Sequence, residues 1–276
     1  MTWHGHLALR FRRDGERTLA HDAHDGPLRV LKALYPEGDG ICHHVLVHPP
    51  GGIAGGDHLD IAVDVGPGAH ALITSAGAAR FYRSDDQAAA QVAHLQVRDN
   101  ARLEWLPLET IAFPGCRASN QVQFELAPGA MCLGWDLLAL GLPAADQAFS
   151  SGWIEQQLHW PGVWLERGRM AAEDTRLLDS PLGLAGQRAL GPIWLASHTP
   201  WTAAERDALL DTAREIASRH ELAALCGATA LDARLVLLRA LAPRIEPLFG
   251  LLSDVRAAWR TSTWQLPAAT PRVWRT

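Results

Sequence analysis

Apolar and polar residues alternate with a period of two through most of the first half of the chain. The alternation covers residues 6–11 and 59–65, and it is clearest over residues 121–126, which read Gln-Val-Gln-Phe-Glu-Leu. This pattern is typical of strands with one buried face. Turn sequences such as Gly66-Pro67-Gly68 and Pro128-Gly129 separate the runs at roughly ten-residue intervals. The first half is therefore predicted to be a succession of short strands.

The second half mixes strand and helix signals. Residues 134–141 fit either a short helix or a buried strand, and residues 153–169 predict two strands around Pro161-Gly162. Thr202-Ala203-Ala204-Glu205 is a capping box, which predicts an amphipathic helix to about His220. Its inward residues would be Leu209, Leu210, Ala213 and Ile216.

The sequence predicts one further strand and one further helix near its end. Residues 235–241 are apolar enough for a strand, and residues 247–259 predict the second helix. No linker, repeat or low-complexity tract interrupts the chain. We therefore expect one β-rich domain over residues 1–276 that carries two α-helices.

Composition excludes several classes of protein. The net charge of the 276 residues is −5 with no basic block, which argues against nucleic acid as a partner. The four cysteines stand far apart, so neither a disulfide framework nor a structural zinc site is expected. The chain has no apolar run of membrane-spanning length and no signal-peptide pattern at its start. We expect a soluble cytoplasmic protein without a membrane partner.

The most unusual stretch is residues 48–57, which read His-Pro-Pro-Gly-Gly-Ile-Ala-Gly-Gly-Asp between two strand-like runs. Proline fixes φ and glycine permits conformations closed to other residues, so a tight bend is expected here. A phosphate-binding loop would need Lys-Ser/Thr and a helix after the last glycine. Asp57-His58 and a strand follow instead. Turns alone also explain the stretch. The bend glycines are Gly51, Gly52, Gly55 and Gly56.

Histidines and embedded polar residues are the candidates for chemistry. Five histidines occur early, and imidazole suits nickel, zinc and copper, but no short spacing organises them into a ligand set. They are His43, His44, His48, His58 and His70. Charged groups in apolar sequence are costly to bury unless they are paired or hydrated.

Among the carboxylates that lie in apolar sequence are Asp57, Asp136 and Glu166. They indicate either structural pairs, for example of Asp136 or Glu166 with Arg83 or Arg167, or a hydrated internal passage or polar interface. No G-x-S-x-G elbow or other enzyme motif occurs, and a carboxylate pair of the glycosidase type leaves no local signature.

Several of these stretches together resemble the UreD family of urease accessory proteins, also called UreH. The combination of residues 48–57 with Gly77-Ala78-Ala79-Arg80-Phe81-Tyr82-Arg83-Ser84 is specific. Further matching text includes Leu103-Glu104-Trp105-Leu106-Pro107 and Leu133-Gly134-Trp135-Asp136. The closing Pro-Arg-Val-Trp-Arg-Thr fits as well, so the resemblance covers nearly the whole chain.

The resemblance implies a mainly β fold, a β-helix-like stack of short strands with two α-helices in the C-terminal half. It also implies a non-enzymatic scaffold that binds apo-urease and UreF, and through UreF the GTPase UreG. A dimer of that complex is left open. Nickel would pass transiently through a water-filled passage, with no tightly bound cofactor. The helices between residues 202 and 259 would contact UreF, or else cap the strand stack.

The passage implied by the resemblance would be lined by Asp57, Asp136 and Glu166, with Ser84 as a lesser candidate. His48 and His58 would act at its mouth. Oxygen ligands hold nickel more weakly than a closed imidazole or thiolate cage, and weak successive sites allow transit. Carboxylates would keep the passage electronegative. The alternative is a β-helical hydrolase or lyase that uses these paired carboxylates as acid and base.

Overall fold

The structure is a computed structural model that describes residues 2–275. Within that range it contains 19 strands and three α-helices. The strands are β1 (His4–Asp14), β2 (Arg17–Asp25), β3 (Arg29–Val30), β4 (Ile41–Val47), β5 (His58–Val65), β6 (His70–Ser75), β7 (Ala79–Phe81), β8 (Ala89–Val97), β9 (Arg102–Leu106), β10 (Thr110–Ala112), β11 (Cys116–Leu126), β12 (Met131–Trp135), β13 (Leu138–Leu142), β14 (Gln147–Ala148), β15 (Gly152–Trp160), β16 (Trp164–Ala171), β17 (Ala189–Ser197), β18 (Cys226–Asp232) and β19 (Leu235–Ala242). The helices are α1 (Thr175–Asp179), α2 (Ala203–Ser218) and α3 (Ile245–Trp264).

Three consecutive coils of three strands form the centre of the fold. The coils are β5–β6–β7, β8–β9–β10 and β11–β12–β13, and each strand pairs in parallel with its equivalent in the next coil. The chain therefore runs through three stacked columns of strands. The alternating apolar positions of each strand face the interior of the stack, as in β5, where every second residue is buried.

The turn sequences lie at equivalent corners of successive coils. The Gly68 amide donates to the carbonyl of Asp99 at 2.9 Å, and the Asn100 amide donates to the carbonyl of Pro128 at 2.9 Å. Stacked corners thus satisfy backbone groups that a loop would leave exposed. At another corner the Leu108 amide donates to Ser75 Oγ at 2.9 Å. The regular spacing of turn signals in the sequence reflects this repetition.

Antiparallel strands close both ends of the stack. At one end β1 continues the first column in parallel beside β5, and β2 pairs antiparallel with β1. At the other end β15 and β16 form an antiparallel pair on the same column. The second column is completed by β17 and β19, which pair antiparallel with each other. The result is a seven-stranded sheet facing a twelve-stranded sheet.

Two hydrophobic clusters stabilise these layers. The first lies between the sheets and contains residues from both, such as Ile61 and Trp105. The second lies between the twelve-stranded sheet and the helices α2 and α3, with Trp135 and Trp259 fully buried in it. The helices therefore cover the outer face of this sheet, and most of the tryptophans belong to the core.

The structure confirms the predicted mainly β stack of strands. The capping box of α2 forms as predicted, since Thr202 Oγ1 accepts from the Glu205 amide and the Glu205 carboxylate accepts from the Thr202 amide. The ambiguous residues 134–141 belong to two strands joined by a corner at Asp136. The prediction of two helices misses the five-residue α1, which is too short to show a helical period.

Candidate functional site

Asp136 occupies the corner between β12 and β13, where the second column of strands turns into the third. Its side chain is 94% buried, and its carboxylate is held by two carboxamides rather than by a basic residue. Asn120 Nδ2 donates to Oδ1 at 3.4 Å, and Gln156 Nε2 donates to Oδ2 at 3.1 Å. Burial raises the pKa of Asp136 to about 7, and the negative charge of Glu166 acts in the same direction.

Two cavities, each partly open to solvent, share Asp136 as a lining residue. The larger has a volume of about 620 Å³ and contains Gln156 and Glu166. The smaller has a volume of about 280 Å³ and contains Asn120 and His48. The carboxylate of Asp136 and its two carboxamide partners therefore lie where the two cavities meet.

The larger cavity is bounded by β15 and β16 on one side and by β17 and β19 on the other. Glu166 forms a bidentate ion pair with Arg239, with Nε at 2.9 Å from Oε2 and at 3.2 Å from Oε1. The sequence suggested a structural pair of Asp136 or Glu166 with, for example, Arg83 or Arg167. Glu166 does form such a pair, but its partner is Arg239, and Arg83 pairs with Asp85 on the surface. Arg167 lines the cavity as well, so two guanidiniums accompany the two carboxylates. The expected electronegative lining is not found here.

The smaller cavity lies inside the first coils and opens beside the glycine-rich bend. His48 and Gly51 line it from the bend, and Arg80 lines it from β7. Burial lowers the pKa of His48, while the negative charge of Asp57 acts in the opposite direction. Trp105 also lines this cavity, and its buried indole N–H has no acceptor among the described residues.

The bend packs against the Gly77–Ser84 stretch, so the two most distinctive motifs of the sequence contact each other. Ile53 forms a parallel bridge with Phe81, through Ile53 N to the carbonyl of Arg80 at 2.7 Å. A Cβ at Gly55 would lie 2.0 Å from Ser84 Oγ and 2.9 Å from the carbonyl oxygen of Gln87. Only glycine permits this approach. Gly52 is similarly close to the ring of Tyr82, and Gly51 and Gly56 have positive φ.

Asp57 ends the bend with both of its carboxylate oxygens bound to backbone amides. Oδ1 accepts from the Trp3 amide at 2.9 Å, and Oδ2 accepts from the Ala54 amide at 2.9 Å. Asp57 does not occur among the described residues that line the two cavities. The geometry gives this carboxylate a role in closing the bend and holding the N-terminal strand.

Ser84 and His58 also lie apart from the two cavities. Ser84 Oγ contacts the carbonyl of Gln87 at 2.5 Å, beside Gly55. His58 lies on β5 with its Nε2 at 3.0 Å from Asp60 Oδ1. Of the residues predicted for a passage, the structure therefore brings together Asp136 with Glu166 on one side and Asp136 with His48 on the other.

Sequence reasoning missed a buried network of charges beneath α3. Glu104 is fully buried and accepts from Arg256 Nη2 at 2.6 Å and from Arg260 Nε at 3.0 Å. His70 Nε2 lies 3.2 Å from Glu104, and Arg260 Nη2 also donates to Glu37 at 2.6 Å. The signal in the sequence was a glutamate in the apolar strand β9 and two arginines four residues apart in an apolar helix.

The polar side chains at the two cavities supply oxygen donors, but they do not form a closed set of metal ligands among the described residues. Among the described residues no group of three or more His, Cys, Asp or Glu side chains is arranged to hold a metal ion. Asp136 and Glu166 offer carboxylate oxygens, and Asn120 and Gln156 offer carboxamides. Hard oxygen donors without a closed cage favour rapid exchange of a divalent ion.

These features define a class of protein, a β-solenoid-like stack of strands whose apolar interior contains two cavities with a few polar and charged side chains. Among residues 2–275, none of the helices is long and apolar enough to cross a membrane. The family model described as UreD urease accessory protein matches residues 4–275. The chain belongs to the UreD family of urease accessory proteins.

Full-length relatives carry the same description. The urease accessory protein UreD of Leptothrix cholodnii is 56% identical over 278 residues, which cover 100% of both chains. The urease accessory proteins UreD of Polaromonas naphthalenivorans and Paracidovorax citrulli are 53% and 48% identical, each over 274 residues and 99% of both chains. The similarity thus extends over both sheets, the helices and the residues of the two cavities.

Proposed function

We propose that this chain is a cytoplasmic scaffold for urease maturation that binds apo-urease and UreF, and through UreF the GTPase UreG. In this proposal nickel is a cargo that passes through the two cavities, and the scaffold retains no tightly bound cofactor. Family membership supports the urease accessory role. All four cysteines are free thiols, which suits a reducing compartment.

The observation that carries the proposed route is the position of Asp136 in the lining of both cavities. A cation that entered beside His48 would meet Asn120 and Asp136, and then Gln156 and Glu166. Each stage offers one or two oxygen donors, which bind a divalent ion weakly enough for it to move on. The unpartnered indole N–H of Trp105 suits a cavity that holds water.

The test is nickel-dependent activation of urease in a complex purified from one cell. The chain would be co-purified with UreF and apo-urease, carrying Asp136→Ala or Glu166→Ala. Asp64→Ala is the matched control, because Asp64 pairs with Arg98 on the surface, outside both cavities. We expect complexes of normal composition in all three cases, with activation reduced only in the two cavity variants.

Two results would overturn parts of this proposal. Absence of a complex with either partner would refute the proposed scaffold role. Normal activation of urease by both cavity variants would refute the proposed nickel route through Asp136 and Glu166. Asp57→Ala serves a different purpose, because it removes two backbone contacts of the bend. We expect that variant to lower stability, so its effect on activation should be compared with its melting temperature.

A second candidate is a hydrolase or lyase, and one observation favours it. The pKa of Asp136 is raised to about 7 and Glu166 lines the same cavity, as in an acid and base pair. The ion pair with Arg239 opposes this candidate, since it occupies the carboxylate that would act as base. Carboxylate variants that leave the complex and its activation of urease intact would favour the enzyme.

A further inference from the structure

The Glu166–Arg239 ion pair spans the larger cavity from one sheet to the other. Glu166 lies on β16, at the edge of the seven-stranded sheet, and Arg239 lies on β19 of the twelve-stranded sheet. The guanidinium binds both carboxylate oxygens, through Nε at 2.9 and 3.2 Å. Both oxygens through which Glu166 could hold a cation are therefore already engaged by a positive charge.

The surroundings of Arg239 leave room for its guanidinium to move. Its partners in register on the neighbouring strands are Pro192 on β17 and Gly227 on β18, which also line the cavity. A Cβ built at Gly227 would meet no atom within 4 Å. The side chains of Arg239 and Glu166 are 40% and 34% exposed. An ion pair in such contact with solvent is held less firmly than a buried one.

We propose that Arg239 is a built-in counter-ion that masks Glu166, so that the resting cavity binds divalent cations weakly and a passing cation must displace the guanidinium. This inference rests on the proposed function for its biological meaning, but the masking itself is a property of the isolated chain. Without Arg239, Glu166 and the nearby Asp136 would present two carboxylates to one cavity. Two unmasked carboxylates would retain a cation, which is unsuitable for a route that must release it.

The alternative explanation is that the Glu166–Arg239 ion pair only stabilises the fold. Removal of the Arg239 guanidinium would then lower stability and leave metal binding unchanged or weaker. If Arg239 instead masks Glu166, its removal would increase the affinity for a cation, which a structural role does not predict. The direction of the change in affinity therefore separates the two explanations.

The test is titration of the purified full-length chain with nickel chloride alone, by calorimetry and by competition with a chelator. We expect Arg239→Gln to bind nickel about tenfold more tightly than the unchanged chain, the factor that corresponds to about one charge-assisted hydrogen bond. Arg239→Lys keeps the positive charge and should not show this gain. If Arg239→Gln does not fold, Arg239→Met, which keeps the aliphatic packing, should show the same increase in nickel affinity.

Two controls locate the effect. In Arg239→Gln/Glu166→Gln the gain should disappear, because the unmasked carboxylate is gone. Arg234→Gln removes a guanidinium that pairs with Asp232 at 3.0 Å outside this cavity, and it should leave nickel binding unchanged. Thermal unfolding of each variant shows whether the fold is retained.

A folded Arg239→Gln or Arg239→Met chain that binds nickel no more tightly than the unchanged chain would overturn the masking role. A gain that persists after Glu166→Gln would also overturn it. These results are distinct from failure of the proposed route. If Arg239→Gln binds nickel more tightly but Asp136→Ala and Glu166→Ala activate urease normally, the masking role holds and the proposed nickel route is refuted. If nickel binding does not tighten but the two alanine variants fail to activate urease, the route holds and the masking role is refuted.

Discussion

Replacement of Glu104 by glutamine tests whether the buried charge network holds α3 on the sheet. The carboxylate is fully buried on β9 and receives Arg256 Nε at 2.9 Å as well as Arg260 Nε at 3.0 Å. Glu104→Gln keeps the size of the side chain and removes its charge. Arg260 would keep Glu37 as a partner, but Arg256 has no other carboxylate partner among the described residues.

The expected loss is large compared with the stability of an ordinary domain. Removal of one member of a buried ion pair costs about 3–5 kcal/mol, because the remaining charge stays buried without compensation. Total unfolding free energies are about 5–15 kcal/mol, so a loss of about 3–5 kcal/mol is about a fifth or more of the total. Retained carbonyl acceptors, such as Ala269 O for Arg256 at 2.8 Å, favour the lower end of the range.

The effect has a defined pH dependence. Burial works to raise the pKa of Glu104, but the charges of Arg256 and Arg260 and the contact with His70 lower it well below its ordinary value of 4.5. A carboxylate with a depressed pKa stabilises the fold above its unfolded pKa, and this contribution is lost as the pH falls. The difference between the unchanged chain and Glu104→Gln should therefore be full at pH 7 and shrink below about pH 4.5.

Urea denaturation followed by circular dichroism and tryptophan fluorescence measures both quantities. Asp64→Asn is the matched control, since its surface pair with Arg98 should contribute less than about 1 kcal/mol. A loss below about 1 kcal/mol in Glu104→Gln at pH 7 would refute the argument that these charges depend on one another. A loss that stays constant down to pH 3 would refute the assignment of a depressed pKa.

Three further predictions concern packing and the central carboxylate. Gly55→Ala should lower the unfolding free energy by about 1–3 kcal/mol, because its Cβ would clash with Ser84, whereas Gly77→Ala meets open space and should be nearly neutral in the same denaturation assay. Asp136→Asn should gain stability relative to the unchanged chain as pH rises from about 4 to 7, by roughly 1.4 kcal/mol per pH unit, because in that window the carboxyl is ionised in the unfolded chain while the buried acid keeps its proton; equal pH profiles would contradict this. Trp274→Ala should cost about 2–3 kcal/mol, since the indole packs on two aromatic rings and donates to Thr74; an unchanged midpoint would show that the C-terminal segment is not anchored there.

Local sequence signals were sufficient to predict most strands and the capping of α2. Residues 121–126 alternate because one face of β11 is buried in the stack, and Pro128-Gly129 marks the corner that follows. The capping box at Thr202 depends only on residues within one helical turn. The stacking of coils followed only from the family resemblance, because parallel pairing between successive coils joins residues too distant for local periodicity to reveal.

The charge networks could not be predicted because their members are distant in sequence. Glu104 and Arg256 are separated by 152 positions, and Glu166 and Arg239 by 73. Each of these residues stands next to apolar sequence, but a single sequence does not show which charges meet. The candidate residues predicted from the sequence included Asp136 and Glu166, which line one cavity. They did not include Asn120, Gln156 and Arg239, which surround these two carboxylates.

Asp136 and Glu104 are both buried carboxylates, but they differ in the partners that surround them. Glu104 is neutralised by two guanidiniums, which is how a carboxylate can be kept in a core without a large cost. Asp136 has only two carboxamide partners, at 3.1 and 3.4 Å, and its pKa is raised to about 7. An asparagine could fill the same corner with no ionisable group to desolvate. Stability therefore does not account for the carboxylate, whereas the proposed nickel route requires an oxygen ligand at this position in the lining of both cavities.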